Sequence, residues 1–316
     1  MISLDEVAEE LGLQFAEEKN GENKYFCDLC DNDSPDLWIG SGKFMCFGGG
    51  STEGGRKAIS LVMHVKNWES KGRAMTWLKQ HFPDEFGELS EEEIDRREKT
   101  LEVLEKATLF SQARLKAEGN ILEEFLESRN FEEEDIDKTR VGLMDEEVTS
   151  RLKEEFNDQA LQDSGLFTED GYCILQDRLV FPHQEGETVW YMAGRTLNDG
   201  VEPKYKKASQ TDYNENVLYQ FFEDSDTLVI TEGYTDAISA AKAGFSVVSP
   251  ATTTFSDEQI EDMVRTGQDF DEVVIINDGD EAGEDGATRT ARVLSFNGVD
   301  PVMVELSEGE DLDDWT

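Results

Sequence analysis

The chain has 316 residues, 72 of them Asp or Glu and 29 of them Lys or Arg, which gives a formal net charge of −43 at pH 7. This length predicts two or three domains and is ample for a sizeable core. No apolar run approaches the roughly 20 residues of a transmembrane helix, and the acidic start does not fit a secretory signal peptide. We therefore expect a cytoplasmic protein that does not span a membrane.

The acidic residues are spread along the whole chain instead of forming one acidic tail. So large a charge opposes folding by self-repulsion, and concentrated salt removes most of that repulsion because the Debye length falls to about 3 Å at about 1 M. The even spread indicates a solvated surface in a high-salt cytosol, and an acidic mimic of nucleic acid is the alternative. Net charge is then no argument against nucleic-acid binding.

The predicted elements begin with a short helix at residues 1–12. Gly, Asp, Ser and Cys are frequent in residues 24–55, which is typical of a small turn-rich β module, and helical spacing returns at 56–82. Glu-to-Lys/Arg neighbours at helical distances predict a helix or linker over 88–117, and residues 121–160 predict further short helices.

The second half of the chain is richer in predicted strands. Strand-like segments stand at 173–183 and 188–197. From residue 227 onward strands and helices alternate, beginning with "TLVIT" and "TDAISAAKAG". Alternation of this kind predicts a parallel sheet flanked by helices.

Three carboxylates follow two of these predicted strands. Glu232 comes directly after "LVIT", while Asp278 and Asp280 come after "VVIIN" with one glycine between them. Ligands of such sheets bind beyond the carboxyl ends of the strands, and carboxylates that converge there need a cation. Mg²⁺ suits them because it prefers oxygen ligands and keeps waters for a phosphate substrate. The sequence therefore predicts a divalent metal site, with ordinary acidic turns as the alternative.

The same residues lie in recognisable motifs. "ITEGYTDA" (230–237) followed by "IINDGDEAG" (275–283) resembles the Toprim domain that bacterial-type primases share with topoisomerases and certain nucleases. The resemblance implies that Glu232 acts as general acid/base and binds divalent metal together with Asp278 and Asp280.

Further acids join this set through the same resemblance. The "EGYTDA" form is similar to that of primases and adds Asp236 to the catalytic acids, either close to the metal or supporting the residues that bind it. The stretch "SEGEDLDDW" (307–315) is similar to another primase motif and adds Asp311 and Asp313 as metal ligands.

Residues 177–209, "DRLVFPHQEGETVWYMAGRTLNDGVEPKYKKAS", are similar to the primase core that precedes the Toprim domain. Cations in this stretch are expected to contact phosphates, which positions nucleic acid without reading its sequence; surface lysines that serve solubility are the alternative. The basic residues that often precede the next element, "LYQ", are missing, because residues 214–216 are Asn, Glu and Asn. The residues implied in template or nucleotide binding are Arg178, Arg195, Lys204 and Tyr205.

Residues 25–63 resemble the zinc-binding module of the same primases. Cys27, Cys30 and Cys46 match three zinc ligands, but Gly49 stands where the fourth would be, and a structural zinc needs four. Either zinc has been lost, or a water or another side chain completes the set. The candidate side chains are Asp28, Asp31 and His64.

Together the resemblances run from about residue 3 to 315 and identify the chain as a member of the DnaG-type primases. They imply an α/β fold in three domains: a small zinc-ribbon-like β module at 1–87, an α+β primase core subdomain at 88–222, and a Toprim domain at 223–316. The last domain is expected to hold a Rossmann-like parallel sheet flanked by helices.

The implied function is synthesis of short RNA primers from NTPs on single-stranded DNA in DNA replication, a nucleotidyl transfer that uses Mg²⁺ or Mn²⁺. A replicative helicase is an implied partner, although the helicase-binding C-terminal domain is expected to be absent. Salt weakens phosphate contacts, so template binding is expected to use stacking on Trp38, Phe44 and Phe47. A Toprim nuclease and a non-catalytic nucleic-acid-binding accessory protein are the alternatives.

Overall fold

The computed structural model describes residues 2–19, 21–27, 35–47, 53–66, 71–198, 200–250, 257–277, 279, 281–304, 306 and 312. The chain forms two compact units, Met1–Asp95 and Arg96–Thr316. The division into three domains at residues 87 and 222 stays a prediction. Within the described ranges, no helix combines the length and the apolar character that crossing a membrane requires.

In the described part of the first unit, five strands form one antiparallel sheet in chain order, and helices share its core. Ser3 and Glu6 begin the first helix with a capping box, in which each side chain bonds the other residue's backbone N–H. The elements are α1 Leu4–Glu10, β1 Phe15–Lys19, β2 Glu22–Tyr25, β3 Leu37–Gly40, β4 Lys43–Cys46, β5 Glu53–Gly55, α2 Ala58–Val65, α3 Lys71–His81 and α4 Pro83–Phe86.

Strands β3 and β4 alternate buried and partly exposed residues, so one face of the sheet packs into the core. Leu37, Ile39 and Phe44 lie on that buried face. Phe44 is only 2% exposed, which contradicts the prediction that it stacks on template bases. Its ring is part of the core that holds this small sheet together.

The second unit contains an antiparallel sheet in the order β6-β7-β8-β9, preceded by a long helix. The boundary between the two units falls inside that helix. The charge pattern of residues 88–117 predicted a helix or linker there, and the structure has a helix. The elements are α5 Glu91–Ala117, α6 Gly119–Arg129, α7 Glu133–Thr139, β6 Gly142–Met144, α8 Glu146–Glu155, α9 Asp158–Asp163, β7 Arg178–Glu185, β8 Thr188–Thr196 and β9 Tyr205–Lys207.

A second sheet follows, in the order β10-β12-β11-β13-β14. Its elements are β10 Tyr219–Phe221, β11 Thr227–Thr231, α10 Tyr234–Lys242, β12 Ser246–Ser249, α11 Asp257–Gly267, β13 Glu272–Ile276, α12 Glu281–Phe296 and β14 Val302–Val304. Strands β11 to β14 are parallel, which confirms the predicted sheet flanked by helices. Two details differ: β10 adds an antiparallel edge strand, and α12 begins at Glu281 instead of near Gly286.

The parallel sheet is covered on both faces. Val229 and Val247 pack on the side of α10, in the core that also contains residues of β6, β7 and β8. Leu228 and Ile230 pack on the opposite side, in a core that includes Met263 of α11 and residues of α12. Burial on both faces explains why the strand sequences are continuously apolar.

His183 of β7 links the antiparallel sheet to helix α10. Its Nδ1 lies 2.6 Å from the Val217 carbonyl oxygen, and its Nε2 lies 3.0 Å from the Tyr234 hydroxyl. A carbonyl can only accept, so Nδ1 carries the proton and Nε2 accepts from Tyr234. The imidazole is fully buried, and this burial lowers the pKa of His183 to about 3. His183 is therefore neutral at physiological pH.

This burial predicts a pH-dependent loss of stability. Because the pKa of His183 is lower in the folded chain than its ordinary value of 6.5, the stabilisation is complete above about pH 6.5 and is lost as pH falls toward 3. His183→Gln keeps a donor and an acceptor but does not titrate. Relative to this variant, wild type should lose about 2 kcal/mol of unfolding free energy from about pH 6.5 to about pH 5, at about 1.4 kcal/mol per pH unit.

Urea unfolding of both proteins in molar KCl at the two pH values measures this difference directly. Titration of the many acidic residues is common to both proteins and cancels in the comparison. An equal pH dependence in wild type and variant would contradict the assignment.

Candidate active site and metal centre

The parallel sheet brings the ends of neighbouring strands β11 and β13 to one edge. Thr231 lies opposite Ile276 in the paired register, so Glu232 and Asn277 are the next positions on the two strands. Both therefore lie at the carboxyl edge of the sheet, where such folds bind ligands. Asp278, the next residue in sequence, is outside the described residues.

Hydrogen bonds fix the backbone around this edge. The Ser249 hydroxyl at the end of β12 donates to the Glu232 backbone carbonyl at 3.1 Å. The Asn277 side-chain amide donates to the Gly283 carbonyl at 3.1 Å, which ties the end of β13 to helix α12. The Glu232 side chain is half-buried at this edge, and its Oε2 atom is buried.

Gly233 and Asp236 form the first turn of helix α10. Gly233 is the N-cap residue with an ordinary extended backbone, so no positive φ requires glycine there. A Cβ at this position would instead overlap the Asp236 carboxylate, which lies over Gly233. Asp236 is 8% exposed and stands where a helix favours negative charge. This placement favours a supporting role for Asp236 beside Glu232.

The other predicted metal ligands of this site are Asp278, Asp280, Asp311 and Asp313, which all lie outside the described residues. Their roles stay predictions. Glu232 and Asp236 are the predicted acids whose positions the structure describes.

The predicted basic segment lies close to the start of α10. The Tyr205 ring of β9 is 5.7 Å from the Tyr234 ring of α10, centroid to centroid. The Arg195 guanidinium carbon is 6.0 Å and the Lys204 ammonium 5.8 Å from the centre of the Tyr205 ring. Arg195 is half-buried and Lys204 is exposed, so both cations can reach an external anion. These predicted residues are therefore brought together.

Arg178 differs from them because its side chain is buried. Its guanidinium donates to the backbone carbonyls of Lys204 at 2.9 Å and Pro203 at 3.1 Å. Desolvation by burial lowers the pKa of Arg178 below its ordinary value. The geometry favours a role in which Arg178 holds the segment that carries Lys204, over the predicted contact with template.

The first unit brings together three side chains that can hold a metal ion. The donor atoms of Cys27, Cys46 and His64 lie within 4.8 Å of one another, and Cys27 Sγ is 3.7 Å from His64 Nε2. Two ligands of a tetrahedral zinc, one sulfur and one nitrogen, stand about 3.5 Å apart at ordinary bond lengths. The three groups therefore fit a zinc ion, whereas Cys30 and Gly49 lie outside the described residues.

Trp38 and Phe47 lie on the face of the first sheet that does not enter the core. Their rings meet edge to face at 5.3 Å, and the Lys24 ammonium lies 4.3 Å from the Trp38 ring centre. Phe47 is 48% exposed. The exposed Phe47 ring suits stacking of single-stranded bases, whereas Lys24 is buried and paired with Glu17 at 3.0 Å.

Two further residues of interest had only weak signals in the sequence. His64 was one of several candidate zinc ligands, and among the described residues its position on α2 brings it to Cys27 and Cys46. Lys207 belongs to the "KYKK" run, and its ammonium lies 3.5 Å from the carbonyl of Pro250, directly after β12. The scarcity of cations in this chain was the available signal for Lys207.

Two protein-family models match adjoining parts of the chain. Residues 109–225 match the model described as "DNA primase catalytic core, N-terminal domain", and residues 229–316 match the model described as "Toprim-like". The boundary between the two matches lies just before strand β11.

Curated relatives and a solved structure agree with these matches. The DNA primase of Staphylococcus epidermidis is 26% identical over 99% of this chain and 55% of its own length. That of Halalkalibacterium halodurans is 30% identical over 64% of this chain and 36% of its own length. The chain thus spans about half, or less, of these relatives.

The Aquifex aeolicus primase structure, with its zinc-binding and RNA polymerase domains, superimposes with a TM-score of 0.61 at 23% identity. The match covers 100% of this chain and 82% of that one, which shows that the fold is shared. The two adjoining models and both relatives thus agree that this chain is similar to the DnaG-type primases.

Proposed function

We propose that this chain synthesises short RNA primers from NTPs on single-stranded DNA. The observation that carries the proposal is the meeting of Glu232 with the end of β13 at one edge of a parallel sheet, inside the stretch matched by the Toprim-like model. The adjoining primase-core match favours primer synthesis over the other activities that a Toprim sheet supports. The relatives are longer than this chain, so their activity is assigned to it as a proposal.

In the proposed reaction, the 3′-hydroxyl oxygen of the growing primer bonds to the α-phosphorus of an incoming NTP. The bond from that phosphorus to the pyrophosphate oxygen breaks, and pyrophosphate leaves. The Glu232 carboxylate takes the hydroxyl proton as general base. Its side chain is half-buried at the sheet edge, and its backbone carbonyl accepts a hydrogen bond from Ser249.

A divalent cation suits this edge because the donors are carboxylates, the oxygen ligands that Mg²⁺ and Mn²⁺ prefer. When bound, such an ion neutralises the triphosphate and the leaving pyrophosphate. Asp236, folded over Gly233, supports the edge from helix α10. The residues that would hold the ion are Glu232, Asp278, Asp280, Asp311 and Asp313.

The first unit is proposed to hold zinc and to capture template. Cys27, Cys46 and His64 supply three ligands from described positions, and the sequence-predicted Cys30 is proposed as the fourth. Template is proposed to bind through stacking on Trp38 and Phe47, together with phosphate contacts from Arg195 and Lys204.

The net charge of the chain supports a proposed cellular setting, and its family resemblance supports a proposed protein partner. A net charge of −43 supports a high-salt cytosol, where screening reduces self-repulsion. A replicative helicase is the proposed protein partner. Because salt weakens phosphate contacts steeply, stacking should carry much of the template affinity.

Primer synthesis can be assayed in molar KCl with single-stranded DNA, labelled NTPs and Mg²⁺ or Mn²⁺. Wild type should give short RNA products. Glu232→Gln removes the proton acceptor, so the rate should fall about a hundredfold or more. Asp278→Asn should abolish synthesis by weakening the metal site.

Two other outcomes would replace the proposal. Degradation of the DNA without added NTPs would indicate a Toprim nuclease. Template binding by folded wild-type protein, with no product under any metal, would indicate a non-catalytic accessory protein.

The contact between Gly233 and Asp236 predicts a coupled pair of substitutions. Gly233→Ala should leave the fold intact, because the Asp236 side chain can rotate away, but this displaces the carboxylate from the edge. Primer synthesis should fall about tenfold to a hundredfold, the usual effect of losing a group that supports a metal ligand.

Asp236→Ala is the matched control, since it removes the carboxylate outright. The double variant should be no slower than Asp236→Ala alone, because the two changes act on one contact. Losses that multiply in the double variant would contradict this coupling. Thermal unfolding of each variant checks that the fold is kept.

The zinc assignment predicts one zinc per chain and dependence on His64. His64→Ala should lower the bound zinc, measured by elemental analysis, and lower the temperature of unfolding, because zinc binding energy contributes to folding. Gly49→Cys in the same chain restores the family's fourth ligand and should recover the zinc. Equal zinc content in wild type and His64→Ala would exclude His64 as a ligand.

A further inference from the structure

We propose that Lys207 binds a phosphate group of the incoming nucleotide at the edge that carries Glu232. The inference rests on the proposed function for the class of ligand and on the geometry of β9 and β12 for the residue. Sequence motifs assigned Arg195, Lys204 and Tyr205 to this surface, whereas Lys207 was covered only by the general expectation that cations in residues 177–209 contact phosphates.

The position of Lys207 is set by two sheets. In the antiparallel sheet it pairs with Ala193 at the end of β9. Its ammonium then lies 3.5 Å from the carbonyl of Pro250, the residue directly after β12. The antiparallel sheet therefore places the Lys207 ammonium at the carboxyl edge of the parallel sheet.

The register of the parallel sheet places this cation near Glu232. Ile230 of β11 lies opposite Val248 of β12, so Glu232 is level with Pro250 two positions later. The hydrogen bond from Ser249 to the Glu232 carbonyl shows that the two strands are still adjacent there. Paired strands lie about 4.8 Å apart, so the ammonium contacts the strand next to the one that ends in Glu232.

The surroundings of the ammonium lack a compensating anion. Lys207 is half-buried, and among the described residues no Asp or Glu forms an ion pair with it, although the chain has 72 acidic residues. Desolvation by burial lowers the pKa of Lys207 to about 8. A desolvated cation is costly unless an anion joins it, and a phosphate at this edge would be that anion.

Residues 214–216 occupy the segment where related primases often have cations. In this chain, two of these residues make hydrogen bonds within the fold. Asn214 is buried, and its side-chain amide donates to the carbonyls of Ser164 and Ser209 at 2.9 and 2.8 Å. Glu215 accepts from Arg97 at 2.6 Å. Neither residue supplies a cation to a ligand.

The proposal distinguishes Lys207 from its neighbour Lys206. Successive residues of a strand point to opposite faces, so Lys206 projects away from the side on which Lys207 meets Pro250. Lys206→Met therefore removes the same charge from the same strand, but not from the phosphate position. It is the matched control for Lys207→Met and Lys207→Gln.

The test is equilibrium binding of ATP with Mg²⁺ to the full chain by calorimetry in molar KCl, without template. Lys207→Met and Lys207→Gln should weaken binding about tenfold or more, the effect of losing one hydrogen bond to a charged group. Lys206→Met should change it less than about twofold by the same reasoning. Affinity for oligo(dT), measured by fluorescence anisotropy, should be unchanged in all three variants.

The unfolding temperature provides a second measurement, in which a purely structural lysine would give a different result. Lys207→Met removes a desolvated charge, so the unfolding temperature should stay the same or rise while nucleotide affinity falls. A variant that loses ATP binding only because it unfolds at lower temperature would overturn the proposal.

Each of the remaining outcomes either upholds or overturns the proposed role of Lys207. Loss of oligo(dT) binding with unchanged ATP affinity would make Lys207 a template contact and overturn the proposal. Equal ATP affinity in wild type and variants, or no ATP binding by wild type, would also overturn it. Lys207-dependent ATP binding by a chain that makes no primers would uphold it while the proposed function failed.

Discussion

The burial of helix α10 on every side is the constraint on which the rest of the second unit depends. Its residues from Tyr234 to Ala241 are all buried, and small side chains such as Ala237 and Ala240 let strands approach closely. A helix packed all round belongs to the interior, where its start cannot shift without disturbing two sheets. The residues just before it, Glu232 and Gly233, are thereby held at the edge where β11 ends. The rings of Phe181 and Tyr234 stack with their centres 4.6 Å apart, so the start of helix α10 also packs against the antiparallel sheet.

Electrostatics imposes a second constraint, because the chain has so few cations to distribute. Several are used in ion pairs that organise the second unit, such as Arg96 with Asp163 at 2.7 Å and Arg140 with Glu105 at 2.6 Å. Both pairs are partly buried, and the attraction within such a pair is offset by the cost of removing its charges from water. The apolar cores on both faces of the parallel sheet must therefore provide most of the stability, which is consistent with long runs of buried Val and Ile.

Local patterns were sufficient to predict the parallel sheet and the position of Glu232, because alternation and strand ends are properties of short segments. Contacts between distant segments were not predictable in this way. His183 reads as part of a strand, and only the packed fold shows that it bonds Val217 and Tyr234. Phe44 failed as a stacking residue for a related reason: nothing in "KFMC" tells which face of the strand becomes the core.

The acidic surface and the half-buried lysine both bear on how this chain can bind an anion. Exposed cations such as Lys204 face counterions that compete with every phosphate, whereas a partly desolvated cation is screened less. Strand β9 places Lys207 in a partly desolvated environment. Desolvation there lowers the pKa of Lys207, because a charged ammonium is unfavourable without a nearby anion. A nucleotide phosphate would offset the cost only when bound at the edge beside Glu232. Under the proposed function, burying one lysine there favours a nucleotide phosphate over small anions of the solvent.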